Sequence, residues 1–549
     1  ISVILKFRSM SNSSKIFHQV PVDVQNRSGY DASFEHVLTQ KVGTLVPLAC
    51  IECVPNQNIS LGFFGQVALP PMATDFYGRV DYCVEAFWVP GRLLFGAFED
   101  VFLHNTGENV PGQLVSTYYM PGFTFGYDKT ICGAGTLLDY LGFKISQDSA
   151  SGASTSVTVQ NILPLVAYHL VWQEFYRSSR LTNPVFSKRS TQAIAPTSSG
   201  FVGTLPSVSI AGTNPSTQII VSGLGAQFAD GTYLYDLRQR CYGKDKFTNA
   251  TYEPQQGTPT SLQFPVSGGT GSFTIGSWLT AYGMDQWKRK MNISGRYGDQ
   301  QFADWGVYPE SYFCDRPVYL GSSRFGIYNK SVYQASNDQL NYIQGIRNPF
   351  NNSVGAKYGS PVGVSDGSLV DSFSTTERGY LFVMGSVVPH AYYSTGVDPK
   401  FRRYRVTDFA NPAWQVMGDE AILTSELSDD AATAANPSTF GYTQRFSSYK
   451  WNTDLVSGLL RDGESLSSFA LKRSFGSTPQ LSTSFVEIPT NALDEVAASA
   501  DTLPSSFGAW SDIFFKLHTS MPLSAYTIPT LGQKKDTHTV MVESGGVRL

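Results

Sequence analysis

Two cysteines separated by two residues, Cys50 and Cys53, have a spacing compatible with redox or zinc chemistry. They lie in TLVPLACIECV, an apolar, β-branched run that is typical of a strand. Side chains alternate along a strand, so an offset of three places the two thiols on opposite faces. No second C-x-x-C follows at zinc-ribbon spacing. We therefore interpret the cysteines as buried free thiols of a protein kept in a reducing compartment.

The remaining residue types that support catalysis do not form a recognisable constellation. The seven histidines never pair at metal-ligand spacing. The glycine-rich SGGTGS (267–272) lacks the lysine of a phosphate-binding loop, and it is interpreted as a linker. A nucleophile elbow and H-E-x-x-H are both absent from the sequence. The sequence predicts no enzyme activity, no metal and no cofactor, and no segment has the ligand spacing of a calcium site.

Short basic clusters are the most informative polar feature. Lys288, Arg289 and Lys290 follow a tryptophan, and Arg402, Arg403 and Arg405 alternate with aromatic residues. Basic and aromatic residues together can hold single-stranded nucleic acid, through phosphate neutralisation and base stacking. The plainer interpretation is pairing with carboxylates of neighbouring subunits, or simple solvation. The sequence leaves both open.

The composition favours an all-β protein with long loops. Charged residues make up 15% and aromatic residues 13% of the chain, with 50 Gly and 29 Pro. So little charge suggests a surface covered by sister subunits. The net charge of −4 excludes a strongly basic nucleic-acid-binding protein. No window approaches the roughly 20 apolar residues of a membrane span, so membrane insertion is not expected.

Two stretches are predicted to organise the fold. In residues 79–102 a strand covered on both faces, which includes Trp88, should end at Pro90 and continue as an amphipathic helix containing Phe98. Residues 163–181 are predicted to form the strongest helix, with a proline in its first turn. This helix carries three further candidate packing residues: Trp172, Phe175 and Tyr176. Residues 440–460 are interpreted as a mixed strand studded with aromatic residues.

The expected organisation is one domain with an extension. Residues 1–32 are predicted to form an N-terminal arm, and residues 33–549 a single β domain interrupted by helices and loops at about 103–315. Within this interruption, 187–231 and 255–271 look like variable decorations. The leading ISVILKF is too short for a signal peptide, and Met10 is the more natural start. Residues 1–9 are accordingly interpreted as an upstream extension.

Ten segments resemble, in order, the major capsid protein of the Microviridae, the small icosahedral single-stranded-DNA phages, and above all its gokushovirus branch. They are FWVPGRLLFGAFEDVF (87–102), TLLDYLGF (136–143), ILPLVAYHLVWQEFYRSSRLTNP (162–184), LRQRCYGKDKFT (237–248), SGRYGDQQFADWGV (294–307), RPVYLG (316–321), TERGYLFVMGSVVPHAYYSTGVD (376–398), GDEAILTSEL (418–427), FGYTQRFSSYKWNTDLVSGLLR (440–461) and MPLSAYTIPTLG (521–532).

This resemblance implies an eight-stranded antiparallel jelly roll with long loop insertions that contain several helices. It implies self-assembly into a T=1 icosahedral shell around circular single-stranded DNA, in a virion assembled in the host bacterial cytoplasm. The implied partners are other copies of the chain, the genomic DNA, a small basic DNA-packaging protein, scaffolding or pilot proteins and a host-cell receptor. The family's threefold protrusion usually follows the segment matching KDKFT; here the stretch after KDKFT is short, and the extra material (187–231) precedes it.

Two functions from different classes therefore compete. The first is a structural capsid protein without enzymatic activity. The second is a carbohydrate-binding phage β protein that recognises a receptor, which aromatic platforms on long loops would support. The sequence favours the first, because most Trp and Tyr residues fall inside strand and helix patterns and not in loops.

Overall fold

The computed structural model describes residues 27–69, 77–95, 98, 120–145, 156–182, 184–186, 210–211, 220–222, 228, 230–254, 282–284, 286, 301–303, 305–308, 316–327, 362–428, 438–475, 478–494, 496 and 508–523. Within them the chain is mainly β, with large antiparallel sheets and short helices. The predicted β-rich class is confirmed. The decorations expected at 187–231 and 255–271 lie largely outside the described residues.

The strands, in chain order, are β1 (Ser28–Asp31), β2 (Phe34–Gln40), β3 (Val46–Cys53), β4 (Asn58–Ala68), β5 (Val80–Pro90), β6 (Gly122–Gly126), β7 (Ser156–Val159), β8 (Ile210–Ala211), β9 (Ile220–Ser222), β10 (Val318–Ile327), β11 (Val362–Ser374), β12 (Gly379–Pro389), β13 (Glu420–Leu423), β14 (Thr439–Thr443) and β15 (Ala509–Met521). Eight of them build two large sheets, with β1 added at one edge. The pairs β13–β14 and the set β7-β6-β9-β8 form smaller sheets.

The first large sheet joins strands from distant parts of the sequence. Its order is β15-β4-β11, and β1 and β2 pair one after the other along the free edge of β15. The last residues of the predicted arm, Ser28–Asp31, thus belong to this sheet as β1. The second large sheet has the order β10-β5-β12-β3, and all its neighbours are antiparallel.

The two large sheets enclose one hydrophobic core. Phe63 of β4 and Phe515 of β15 project into it from the first sheet, and Tyr82 of β5 and Leu381 of β12 from the second. All four side chains are buried. The strict alternation of buried and exposed residues along β15 places one face of the first sheet on this core and the other on solvent.

A helical layer covers the opposite face of the second sheet. Helices α1 (Lys129–Cys132), α2 (Leu137–Tyr140) and α3 (Leu163–Val171) form this layer. Two further short helices are α4 (Ser447–Lys450) and α5 (Thr483–Val486), and α5 packs in a separate hydrophobic cluster. Helix α3 is buried along nearly its whole length, and its Tyr168 hydroxyl donates to the carbonyl oxygen of Leu45 at 2.9 Å. Short 3-10 segments follow β5 (Gly91–Leu93) and occupy Pro399–Arg402, Val406–Asp408, Pro412–Met417, Thr424–Glu426, Gly458–Leu460 and Ser467–Phe469.

The helix predicted at 163–181 is shorter than expected. The α-helix ends at Val171, continues as a wider π-helical turn (Trp172–Tyr176) and stops at Arg177, which is extended. Gln173 makes two hydrogen bonds to the backbone of Phe186, which fix this turn outside the regular helical ladder. Tertiary contacts thus override the local helical pattern here.

The prediction of a strand at 440–460 is correct for its first residues and wrong for the rest. Only Thr439–Thr443 pairs as a strand, and helix α4 follows it. The Glu420 carboxylate accepts hydrogen bonds from the backbone N–H groups of Phe446 and Ser447 and from the Ser447 hydroxyl. A carboxylate at a helix N-terminus satisfies donors that otherwise lack partners. The residue that stabilises the start of this helix, Glu420, is 26 positions from Phe446, so local periodicity could not reveal it.

None of the helices found in the described part of the chain has the length and apolar character of a membrane span.

Candidate assembly and nucleic-acid interface

The C-x-x-C cysteines are separated by their strand, as predicted. Cys50 packs on the helical layer, whereas Cys53 lies in the core between the sheets. Burial raises the pKa of the Cys53 thiol to about 12, and it raises that of Cys50 as well. Such thiols stay protonated at neutral pH and are poor nucleophiles and metal ligands. Across the described ranges, no group of three or more His, Cys, Asp or Glu residues is arranged to hold a metal ion.

Trp88 and Pro90 lie near the end of β5, and the Trp88 side chain belongs to the core between the two large sheets. Trp88 is 3% exposed, and its ring packs on Phe373 with centroids 5.6 Å apart. Pro90 ends β5, and the N–H of the following Gly91 donates to the carbonyl oxygen of Arg378 at 2.9 Å. The strand therefore stops where predicted.

Phe98 explains why a glycine follows Pro90. A Cβ atom at Gly91 would lie 2.3 Å from the Phe98 ring, a distance that real side chains do not tolerate. Phe98 is 8% exposed and belongs to the helical-layer core. The ring thus packs directly on the backbone at the exit of β5, and it fixes the path that the chain takes there.

The other three packing candidates lie together on the π-helical turn. Phe175 packs on Phe87 of β5, with ring centroids 4.7 Å apart. The Trp172 indole N–H donates to the carbonyl oxygen of Gln239, and the Arg238 guanidinium lies 4.2 Å from its ring centroid. The Tyr176 hydroxyl donates to the Glu85 carboxylate. These contacts place Trp172, Phe175 and Tyr176 inside the subunit, between the helical layer and the second sheet.

An acidic residue that the sequence analysis missed organises this junction. Glu85 forms a bidentate ion pair with Arg240, at 2.7 and 3.1 Å, and Arg240 also donates to the Ser386 hydroxyl. Burial, together with the neighbouring Glu85 charge, raises the pKa of Tyr176 well above its ordinary value. The available signal was a carboxylate within a strand that is almost entirely buried.

A second missed carboxylate lies on the same strand. Asp81 is fully buried, yet Arg79, Arg324 and His390 all contact it, at 2.9, 2.5 and 3.1 Å. Burial works against the charged form, but hydrogen bonds from Arg79 and His390 and the nearby Arg324 hold the pKa of Asp81 below its ordinary value. This carboxylate joins β5, β10 and the end of β12, and has a structural role.

Of the basic clusters, the one around Arg403 is exposed. Arg402 and Arg403 are half-buried and Arg405 is exposed. Arg403 donates to the Ser448 hydroxyl, and its guanidinium lies 4.1 Å from the Tyr449 ring centroid. Arg405 lies 5.0 Å from the centroid of Tyr404.

Large apolar side chains surround these arginines. Phe401 and Tyr404 are each 77% exposed, and Trp451 is 53% exposed. We refer to residues 400–409 with 449–451 as the basic-aromatic patch. Contiguous exposed apolar surface of this kind marks contact with another macromolecule.

The remaining clusters have other fates. Lys288, Arg289 and Lys290 lie outside the described residues. Arg473 is occupied within the subunit, because it donates to the Phe485 carbonyl oxygen and its guanidinium lies 4.1 Å from the ring of that residue. Of the two predicted clusters of basic and aromatic residues, the structure describes the one in the basic-aromatic patch, and its aromatic rings are exposed.

Large antiparallel sheets held together by buried ion pairs place the chain in the class of mainly β proteins. Comparison with known proteins specifies which: the family model described as "Capsid protein (F protein)" matches residues 18–531. The capsid protein VP1 of Chlamydia phage 1 is 23% identical over 611 aligned positions, which cover 94% of this chain and 97% of that protein. The capsid protein VP1 of Bdellovibrio phage phiMH2K is 23% identical over 555 positions, covering 93% and 97%.

The chain belongs to the F-protein family of capsid proteins, and the resemblance to gokushovirus-like capsid proteins of the Microviridae is confirmed. It is a structural protein of the virion and not an enzyme, and copies of it assemble into the shell.

Proposed function

We propose that this major capsid protein assembles into a T=1 icosahedral shell that encloses a circular single-stranded DNA genome. The observation that carries the proposal is the family match across residues 18–531. Scaffolding or pilot proteins, a small basic DNA-packaging protein and a host-cell receptor are the further partners, and assembly takes place in the cytoplasm of the host bacterium.

The order of the strands supports an eight-stranded jelly roll as the shell-forming unit. Numbered along the chain, strands β2, β3, β4, β5, β10, β11, β12 and β15 become one to eight. The sheets then read 1-8-3-6 and 2-7-4-5, the arrangement of two four-stranded sheets produced by two Greek keys. Under this proposal residues 33–549 form one domain, and residues 1–32 form an arm whose last strand joins the first sheet.

Electron microscopy of purified protein, alone and mixed with its scaffolding partners, tests the assembly proposal. We expect round, uniform particles whose image reconstruction has 60 copies of the chain, the number that a T=1 shell contains. Monodisperse monomers under every condition would contradict shell formation. Uniform particles of another triangulation number would contradict T=1 alone.

We further propose that the basic-aromatic patch contacts the packaged DNA, through Arg402, Arg403 and Arg405, and that Lys288, Arg289 and Lys290 contribute from outside the described residues. The geometry supports base stacking as well as charge, because exposed rings accompany the guanidinium groups. For Trp88, Pro90, Phe98, Trp172, Phe175 and Tyr176 we propose a role in building the assembly-competent subunit. All of these side chains are buried except that of Phe175, which is half-buried, and this favours packing within one chain over direct contact with a partner.

A further inference from the structure

The solvent-side face of the first sheet carries an apolar centre framed by carboxylates. Four residues lie directly opposite one another across four strands: Glu35 of β2, Phe514 of β15, Phe64 of β4 and Asp366 of β11. Phe64 is 51% and Phe514 42% exposed, because their neighbours Phe63 and Phe515 point into the core. Side chains directly opposite on adjacent strands share a face, so these four form one row.

The next row towards the start of β15 extends the same surface. Val37, which is 71% exposed, lies opposite Asp512. Trp510, two positions further, is 44% exposed on the same face. Two aromatic rings side by side with a neighbouring valine and tryptophan form a contiguous apolar area, and such areas on soluble proteins mark binding surfaces.

The charges around this area select the kind of occupant. Glu35, Asp512 and Asp366 surround the Phe64–Phe514 pair, while Lys516 and His518 lie further along β15. Glu35 lies opposite Phe514 and Asp512 is two positions before Phe514, so the two carboxyl groups are diagonal neighbours on one face. A hydrogen bond with Asp512 and the charge of that residue raise the pKa of Glu35. An occupant that brings positive charge relieves this repulsion, whereas the phosphates of nucleic acid would add to it.

We propose that residues 15–22 of the same chain, KIFHQVPV, cover this face. The segment supplies Lys15 together with four apolar side chains, those of Ile16, Phe17, Val20 and Val22. The first acidic residue in the sequence is Asp23, so the whole stretch before it is free of negative charge. Its chemistry is complementary to an apolar surface with a carboxylate border.

The segment is attached at the right place and has enough length. Arg27 is held at the far end of β15, where its guanidinium donates to the Ser520 carbonyl oxygen at 2.9 Å and to Asn56. Phe514 lies about 20 Å from Ser520, at ~3.4 Å per strand residue. The ten residue steps from Phe17 to Arg27 span up to about 33 Å when extended. Phe17 therefore reaches the apolar centre when the arm turns back over its own sheet.

Engineered disulfides in the full-length protein test this placement. One variant combines Phe17→Cys with Phe514→Cys, and the matched control combines Phe17→Cys with Glu464→Cys, at an exposed position outside the sheet. After mild oxidation, we expect an intrachain link at least tenfold more abundant in the first variant, resolved by non-reducing electrophoresis and peptide mapping. No excess over the control overturns the docking proposal.

Mixing two singly substituted proteins separates the same-chain arm from one exchanged with a neighbour. We expect no covalent dimer when Phe17→Cys protein is mixed with Phe514→Cys protein before oxidation. A dimer that appears in this mixture, both before and after assembly, places the arm on a second copy and overturns the same-chain assignment.

A second measurement needs no change within the apolar centre. Docking protects the peptide bond after Lys15 from trypsin, so reversing the carboxylate border with Glu35→Lys and Asp512→Lys should accelerate that cleavage at least fivefold. The control is Asp462→Lys with Glu464→Lys, an equal change of charge at exposed positions away from this sheet. Equal cleavage rates in the two variants, at retained secondary structure, contradict the electrostatic part of the proposal. Protection of added single-stranded DNA by this face in place of the arm would also overturn it.

Discussion

Glu85 and Arg240 are 155 positions apart in the sequence, yet two hydrogen bonds join their side chains at the boundary between the second sheet and the helical layer. Both side chains are less than one-fifth exposed. Burying two charges is costly, and the pair offsets that cost through bidentate geometry and the extra contacts with Tyr176 and Ser386. The pair therefore fixes the insertion after α3 on strand β5.

Removing one partner should be more harmful than removing both. We expect Arg240→Met to destabilise the unassembled subunit by about 3 kcal/mol, because it leaves a buried carboxylate unpaired. The double variant Glu85→Gln with Arg240→Met should recover part of this loss. The measurement is the midpoint of urea unfolding. Lys400→Met, which breaks the exposed pair with Asp398, is the control and should cost under about 1 kcal/mol. Equal losses in the single and double variants would contradict a coupled pair.

The contact between Gly91 and Phe98 predicts a destabilising substitution that a second substitution repairs. Gly91→Ala should lower stability by about 1–3 kcal/mol, because the new methyl group overlaps the Phe98 ring. Adding Phe98→Leu removes the overlapping ring atoms and should restore part of the loss. Thermal unfolding of the single and double variants measures this. If the loss of stability in the double variant equals the sum of the losses in the two single variants, the two residues are not in contact.

A charge at Trp88 should prevent shell formation. Trp88→Glu loses the packing on Phe373 and places a carboxylate in the core between the sheets, at a combined cost of about 4 kcal/mol or more. We expect little soluble subunit and no particles in electron micrographs. Trp88→Phe keeps an apolar ring at the site and should still assemble. Normal particles from Trp88→Glu would show that the site accommodates charge.

The basic-aromatic patch predicts a defect in genome retention without a defect in shell formation. The triple variant Arg402→Ala, Arg403→Ala and Arg405→Ala should form particles with several-fold less encapsidated DNA, and infectivity should fall with it. Lys472→Ala is a useful control, because its side chain is bonded within the subunit, to Ser467. The DNA content per particle is measured from absorbance and sedimentation. DNA content equal to wild type in the triple variant rules out this contact.

The stability of the subunit should carry a pH dependence from Glu487. Burial raises its pKa to about 7, above the 4.5 of an unperturbed glutamate. Between pH 4.5 and about 7 the folded state keeps Glu487 protonated while the unfolded state has lost this proton. The stability of the subunit therefore falls as the pH rises from 4.5 towards about 7. Glu487→Gln should be more stable than wild type at pH 8, and this difference should shrink at pH 4.5.

Urea midpoints of wild type and Glu487→Gln across this pH range measure the effect, and exposed Glu464→Gln is the control. A stability difference that stays constant with pH would show that Glu487 does not titrate in this window.

Local patterns in the sequence identified the parts of the fold that depend on local chemistry. The β5 strand and its end at Pro90 followed from alternation and from a residue that cannot donate a hydrogen bond. Periodicity could not predict which strands pair, because antiparallel partners such as β1 and β15 are almost the length of the chain apart.

The carboxylates at Asp81 and Glu85 could not be found in this way. Both lie in the apolar strand β5. Arg324 and His390, which contact Asp81, and Arg240, which contacts Glu85, are more than 150 positions away in the sequence. Sequence spacing carries no information about such pairs. The basic-aromatic patch was visible because its arginines and rings are neighbours along the chain, although their exposure was not.

The position of β15 in the first sheet has a consequence for the order of events on the ribosome. Arg27 and Ser520 are 493 positions apart and are bonded to each other, and β15 fills the place between β2 and β4. At roughly 5–20 residues per second, the gap between these two strands stays open for about 20 to 90 seconds while synthesis continues. The apolar edges of β2 and β4 are accessible to chaperones throughout that interval. The first sheet therefore cannot close until β15 has been synthesised, so folding of this sheet follows translation of residues 509–521.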